Sequence, residues 1–304
     1  MTPEYLTYEK RAYGNDHDRY DWSYSKLRAP VRPEGVADVT AFIVVPLEFF
    51  PLNPSGKPFK HPGAMVTPYP DLRHFSTRDY GNRVGIYRIL EALEAEGLKA
   101  VIPMNGKVLS RCAPLVERIK AGGHEIAAHG VSTDHIHYDG LSKEEESGYI
   151  EKTLELFGAV GITPTTWMSP ARNESYNTPD LLTRAGFKVC LDWEMDQVPV
   201  AMKTETGPLT CLPNHGELND FNLMHTKRQS EDEWRDQILE SAAFLASEAK
   251  TTGARVFGFT LTPYISGLPF RIRAMREILA GLKEKDGVEV KTASQIASAW
   301  GDTI

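Results

Sequence analysis

Apolar residues fall into two alternating kinds of run along the chain. Short continuous runs, such as Val39-Thr40-Ala41-Phe42-Ile43-Val44-Val45 and Ala100-Val101-Ile102-Pro103-Met104, are bounded by turn residues, as strands buried on both faces are. Ile126-Ala127-Ala128, Thr165-Thr166-Trp167-Met168, Val189-Cys190-Leu191, Leu209-Thr210-Cys211-Leu212, Val256-Phe257-Gly258-Phe259-Thr260-Leu261 and Val288-Glu289-Val290 repeat the pattern. Between them, residues 84–93, the stretch holding Leu115, Val116 and Ile119, and residues 144–157, 231–250, 270–282 and 296–300 space their apolar positions as helices do. Gly97 stops the first of these, and Thr178 with Pro179 reads as a cap and first turn. About seven such alternations predict an α/β fold, a distorted (β/α) barrel of seven or eight parallel strands in a single domain.

Two stretches depart from the alternation. Residues 1–37 are polar and aromatic, with Tyr5, Tyr8, Tyr13, Tyr20, Trp22 and Tyr24 among charges and prolines, and read as an arm that packs on the body or on a neighbouring subunit. Within the barrel of residues 38–304, the Pro-, Gly- and Ser-rich residues 51–70 form a loop long enough to be a lid or a binding loop.

At 304 residues with 41% apolar content, the chain can build a full core. A formal charge of −7 disfavours nucleic acid or an anionic membrane as partner, and no run is long enough to span a bilayer. The N-terminus has no apolar segment of the secretory type. Cys112, Cys190 and Cys211 are odd in number and far apart, which suits a reducing cytoplasm. The partner expected is a small-molecule substrate, and the aromatic arm suggests a homo-oligomer.

In a parallel α/β barrel the C-terminal ends of the strands share one mouth. Glu48, Asn105, His129, Ser169, Arg172, Asp192, His215 and Thr262 stand at or just beyond strand ends, with Trp193 beside Asp192. Carboxylate, imidazole, guanidinium and amide groups together supply a base for water, donors for an oxyanion and an acid for a leaving nitrogen. Glu48, His129, Arg172 and Asp192 are the catalytic candidates, and Asn105, Ser169, Trp193, His215 and Thr262 the substrate-binding ones. Three histidines, His129, His135 and His137, fall within nine residues after the third strand. The alternatives for Glu48 and Arg172 are ion pairs, with Arg73 or Arg83 and with Asp192 respectively.

Gly123-His124-Glu125-Ile126-Ala127-Ala128-His129-Gly130, in this order of elements, resembles the second motif of the polysaccharide deacetylase family of hydrolases, which use a distorted (β/α) barrel. Residues 78–85 with Arg88 resemble the branch holding the cofactor-independent allantoinases, as do Ser169-Pro170-Ala171-Arg172, Leu191-Asp192 with Asp196, and residues 263–271. The resemblance implies hydrolysis of a carbon–nitrogen bond outside peptides. It also implies a metal held by an Asp pair after the first strand and a His four residues beyond His129, where this chain has Leu47-Glu48-Phe49 and Thr133. Thr262 stands where the family has a late acid histidine. These departures leave no firm cofactor. Zinc on His129 and His135, or His137 in its place, with Glu48, is the alternative, and with it a zinc-dependent deacetylase of an N-acetylated sugar. A catalytically impaired barrel that only binds its ligand is the third reading.

Overall fold

The computed structural model describes residues 17–21, 23–60, 70, 72–301 and 303. Its strands are β1 (Val39–Val44), β2 (Val101–Met104), β3 (Glu125–Ala128), β4 (Thr166–Trp167), β5 (Val189–Cys190), β6 (Val200–Met202), β7 (Leu209–Cys211), β8 (Arg255–Thr260) and β9 (Val288–Val290). They form one curled sheet in the order β6-β7-β5-β4-β3-β2-β1-β8, with β9 alongside the first half of β1. Every pairing is parallel except β6 with β7. The two sides of the curl meet at a bridge between Asn214 and Gly258, giving a distorted (β/α) barrel.

The apolar runs become strands because each is covered on both faces. Val39 to Val45 are buried throughout, and helices Ile86–Glu96, Glu231–Thr252 and Ile272–Glu284 pack their apolar stripes into the same core. β6 departs from the sequence reading: Val200–Met202 is a three-residue antiparallel edge strand directly after Pro199, and of its residues Met202 is the one fully buried. The helix predicted over 84–93 begins earlier, at Leu72, and passes through a π-helical turn at Gly81–Gly85. Thr178 does not cap its helix, whose N-cap is Asn177; its hydroxyl is turned inward to Glu146 instead.

One glycine sets the fit of two neighbouring strands. A methyl group on Gly258 of β8 would lie 2.3 Å from the ring of Phe42 on β1. Gly258→Ala is therefore expected to destabilise the fold by about 1–3 kcal/mol through overpacking, read from chemical denaturation; an unchanged midpoint would mean that the Phe42 ring yields freely.

The described part of the arm lies on the barrel. Arg19 pairs with Asp180, Arg28 with Asp196 at 2.6 Å, and Val31 bridges to Gly253. Tyr5, Tyr8, Tyr13 and Trp22, like residues 61–69 of the long loop, lie outside the described residues. No helix among the described residues is long and apolar enough to cross a membrane.

Candidate active site

Strand register and one buried amide bring the first and third strand ends together. The segment after β1 continues the sheet, with Leu47 N–H donating to Pro103 O. Asn105, at the end of β2, accepts from Phe49 N–H at 2.7 Å and donates to His129 O. Asn105 is fully buried with both ends of its amide used, so it fastens the loops carrying Glu48 and His129 and does not reach a ligand. Asn82, on the π-helical turn, donates to Glu48 O and holds the same loop from the other side.

Glu48 Oε1 and His129 Nε2 stand 3.6 Å apart on the wall of a cavity of about 380 Å³. His129 Nδ1 lies 2.7 Å from Met168 O. A carbonyl oxygen only accepts, so Nδ1 carries the proton and Nε2 is the atom that gains and loses one toward the cavity.

Across the cavity, Arg172 and Ala171 both adopt left-handed backbone, at φ 53° and 57°. Such conformations cost on the order of 1–3 kcal/mol each in non-glycine residues and persist where surrounding contacts enforce them. Here the enforcing contacts are Arg172 to the main-chain oxygen of Asp192, at 2.9 Å, and to the Glu194 carboxylate, at 2.5 Å. The ion pair weighed between Arg172 and Asp192 is therefore with Glu194, and the Asp192 side chain is engaged elsewhere.

Asp192 accepts the Ser169 N–H at 2.9 and 3.0 Å and borders the cavity. Behind it, Cys190 Sγ lies 3.4 Å from Glu174 Oε1 and 3.5 Å from Asp192 Oδ2, and Trp193 Nε1 donates to Glu174 Oε2 at 3.0 Å. Burial and the neighbouring Asp192 carboxylate push Glu174 well above the usual carboxylate range, and burial likewise pushes up the Cys190 thiol.

Thr262, on the cavity wall, is backed by a carboxylate that the strand-end reasoning missed. Asp220 is fully buried and accepts from Thr262 N–H at 2.6 Å, from its hydroxyl at 2.7 Å and from the Ser266 hydroxyl. Thr262 Oγ1 therefore spends its hydrogen on Asp220 and offers the cavity an acceptor. Burial raises Asp220 to about 6 against these hydrogen bonds. A carboxyl whose folded pKa lies above its unfolded value stabilises fully below the unfolded value and progressively less as pH rises through the folded one. Stability should thus decline between about pH 4 and pH 6 through this group. Comparing pH–stability curves of the protein and Asp220→Asn checks this: the decline should be absent from the variant, and identical slopes would refute it.

Other candidates do not line the cavity. Ser169 is buried, its hydroxyl accepting from Trp167 Nε1 at 2.8 Å. Trp193 faces a second hollow of about 310 Å³ on the far side of Arg172 and Asp192. The ring of His215 is largely buried, which lowers its pKa, and only its neighbour Gly216 borders the cavity. The three histidines separate because the chain after His129 doubles back. His135 meets Ser132 Oγ at 2.7 Å and packs edge-on against Tyr149. His137 is fully buried, 2.9 Å from Glu146. A zinc site on His129 and His135 is accordingly corrected. Among the described residues, the group of three or more potential ligands that converges is Glu174, Cys190 and Asp192. Glu48 and His129 supply two donors where a catalytic zinc takes three protein ligands, so a catalytic zinc does not fit there.

The described strands thus form a largely parallel barrel with a carboxylate, an imidazole and a guanidinium around one cavity. More particularly, residues 71–190 match the family model described as "Polysaccharide deacetylase". A Schizosaccharomyces pombe protein named "Putative polysaccharide deacetylase" is 23% identical over 262 residues, covering 78% of this chain and 80% of its own. The crystal structure of PuuE allantoinase superposes with a TM-score of 0.79 at 21% identity, over 90% of this chain and 95% of that one. That of a probable polysaccharide deacetylase from Pseudomonas aeruginosa PAO1 gives 0.77 at 18% identity, over 97% and 98%.

Proposed function

We propose that this protein hydrolyses a carbon–nitrogen bond of a small amide, ureide or N-acyl compound, with Glu48 and His129 as its proton-transfer pair. The observation that carries the reading is their 3.6 Å approach on the cavity wall, with the His129 tautomer set by Met168 O. The separation is too long for a direct hydrogen bond and lets both atoms reach one bound water. Glu48 takes a proton from that water as its oxygen attacks the carbonyl carbon. Arg172, fixed by Glu194 and the Asp192 carbonyl, stabilises the oxyanion or holds a substrate carboxylate. Protonated His129 gives its Nε2 proton to the leaving nitrogen, the C–N bond breaks, and the proton on Glu48 passes to His129 to restore the pair.

A cavity of about 380 Å³ suits a small molecule held in one pocket. Thr262 Oγ1, Glu48 and Glu194 present acceptors to it and Arg172 a donor, a pattern that favours a substrate with several N–H groups around one carbonyl. The name of the structural relative PuuE allantoinase agrees with a ureide, and the fission-yeast relative's name with an N-acyl compound. Free Cys112, Cys190 and Cys211 are consistent with a reducing, cytoplasmic setting.

The test is a panel of ureides, cyclic amides and N-acetylated sugars assayed for released amine. Turnover of at least one member is expected, and Arg172→Lys should lower kcat/KM for it by ~10- to 100-fold, since a lysine cannot reproduce the fixed fork. Absence of turnover across the panel would favour a barrel that only binds.

A further inference from the structure

We propose that the phenolic hydroxyl of Tyr264 is a further catalytic group, donating a hydrogen bond to the substrate's carbonyl oxygen as that oxygen takes on negative charge. This role rests on the hydrolysis proposed above and adds to it a neutral donor beside Glu48. Tyr264 borders the same cavity as Glu48, His129, Arg172 and Thr262.

The fold holds this side chain in place from several directions. Tyr264 lies on the short helix Pro263–Ser266, directly after β8. That helix meets the π-helical turn Gly81–Gly85 main chain to main chain. A methyl group on Gly81 would stand 2.8 Å from Tyr264 N, and one on Gly85 2.0 Å from Pro263 O. Asn82, on the same turn, holds the main-chain oxygen of Glu48 at 2.8 Å. One turn therefore fixes the base and the phenol relative to each other. Phe50 meets the Tyr264 ring edge-on at 6.3 Å, and the Arg78 guanidinium lies over it, 4.8 Å from its centre.

The ring so held presents an unspent donor. Thr262 gives its hydroxyl hydrogen to Asp220, and the Asn222 amide donates to Gly216 O. Among the described residues, none hydrogen-bonds to the Tyr264 hydroxyl. A fixed donor on a cavity wall with no protein partner stabilises a developing oxyanion well, because no internal bond has to break first. Burial, and after it the negative charge of Glu48, push the phenol's pKa up, so the hydroxyl keeps its proton and remains a donor. No proton leaves it during the reaction: Glu48 and His129 carry those, and the hydroxyl's hydrogen bond strengthens as the carbonyl carbon turns tetrahedral.

Tyr264→Phe removes the hydroxyl and keeps the ring between Phe50 and Arg78. On a substrate found in the panel it should lower kcat by ~100- to 1,000-fold and leave KM within about threefold. A ring with a packing role alone would leave kcat where it was. A second measurement needs no turnover. Glu48→Gln protein carrying an isotope label on the tyrosine ring carbon that bears oxygen is followed by NMR as ligand is added. The ligand is the substrate from the panel or, where the panel yields none, hydantoin and N-acetylglucosamine in turn. One tyrosine signal should move, and that signal should be missing when Tyr264→Phe is combined with Glu48→Gln. A fall in kcat of less than threefold would overturn the role of Tyr264 and leave the hydrolysis standing. So would ligand additions that never move the Tyr264 signal. A silent panel with a moved Tyr264 signal would support the donor and place the failure in the proposed hydrolysis.

Discussion

Glu48→Gln is expected to lower kcat by ~100- to 10,000-fold on any substrate the protein hydrolyses, with folding intact. The substitution keeps the side chain's size and its place on the cavity wall, but an amide cannot take a proton from water. Circular dichroism and thermal melting should match the unaltered protein, because Asn105 and Asn82 hold this loop through main-chain atoms that the variant retains. A loss below tenfold would reassign the base elsewhere.

The largest expected effect on stability lies outside the cavity, at Glu146. Its carboxylate is fully buried and accepts from His137, Ser175 and Thr178, joining the helix Lys143–Gly158 to the segment after β4. Burial by itself would raise its pKa, but the hydrogen bonds from His137, Ser175 and Thr178 outweigh it and hold the group below the usual range. Glu146→Ala leaves His137 and two hydroxyls facing an emptied, dry space and should cost about 3–5 kcal/mol in urea denaturation. Because the folded pKa is depressed, this stabilisation is present above the unfolded carboxylate value and is lost as pH falls through the folded one. The difference between protein and variant should therefore shrink in acid. A difference under about 1 kcal/mol at neutral pH would mean that the cluster contributes no more than an exposed pair.

The barrel was legible in the sequence for a physical reason. Strands covered on both faces must be apolar without interruption, and Val39–Val44 and Arg255–Thr260 are buried at every position. β6 was not legible because an edge strand of three residues, two of them only partly buried, places little demand on its composition. The same logic divides the site. Glu48 and His129 follow strands whose register is set by backbone pairing, so strand-end position was enough to find them.

Asn105 and Ser169 also follow strands, but their side chains turn back to bond the main chain and an indole, and strand-end position does not report that turn. Asp220 and Glu194 escaped because they lie in irregular segments without periodicity. The available signal for Glu194 was its place two residues beyond Asp192. For Asp220 it was an isolated acid between Asn219 and the apolar run from Phe221. His135 and His137 looked like companions of His129 by sequence distance alone; a turn at Gly130, with φ at 65°, sends them to other neighbours.

In the proposed hydrolysis Glu48 and His129 pass a proton between them and act as a single unit. A double-mutant cycle on kcat, comparing Glu48→Gln, His129→Gln and the combined variant on a substrate found in the panel, measures that directly. The combined variant should be no slower than the slower of the two single variants, within about threefold. Losses that multiply would show that the two side chains act independently and would contradict the pairing.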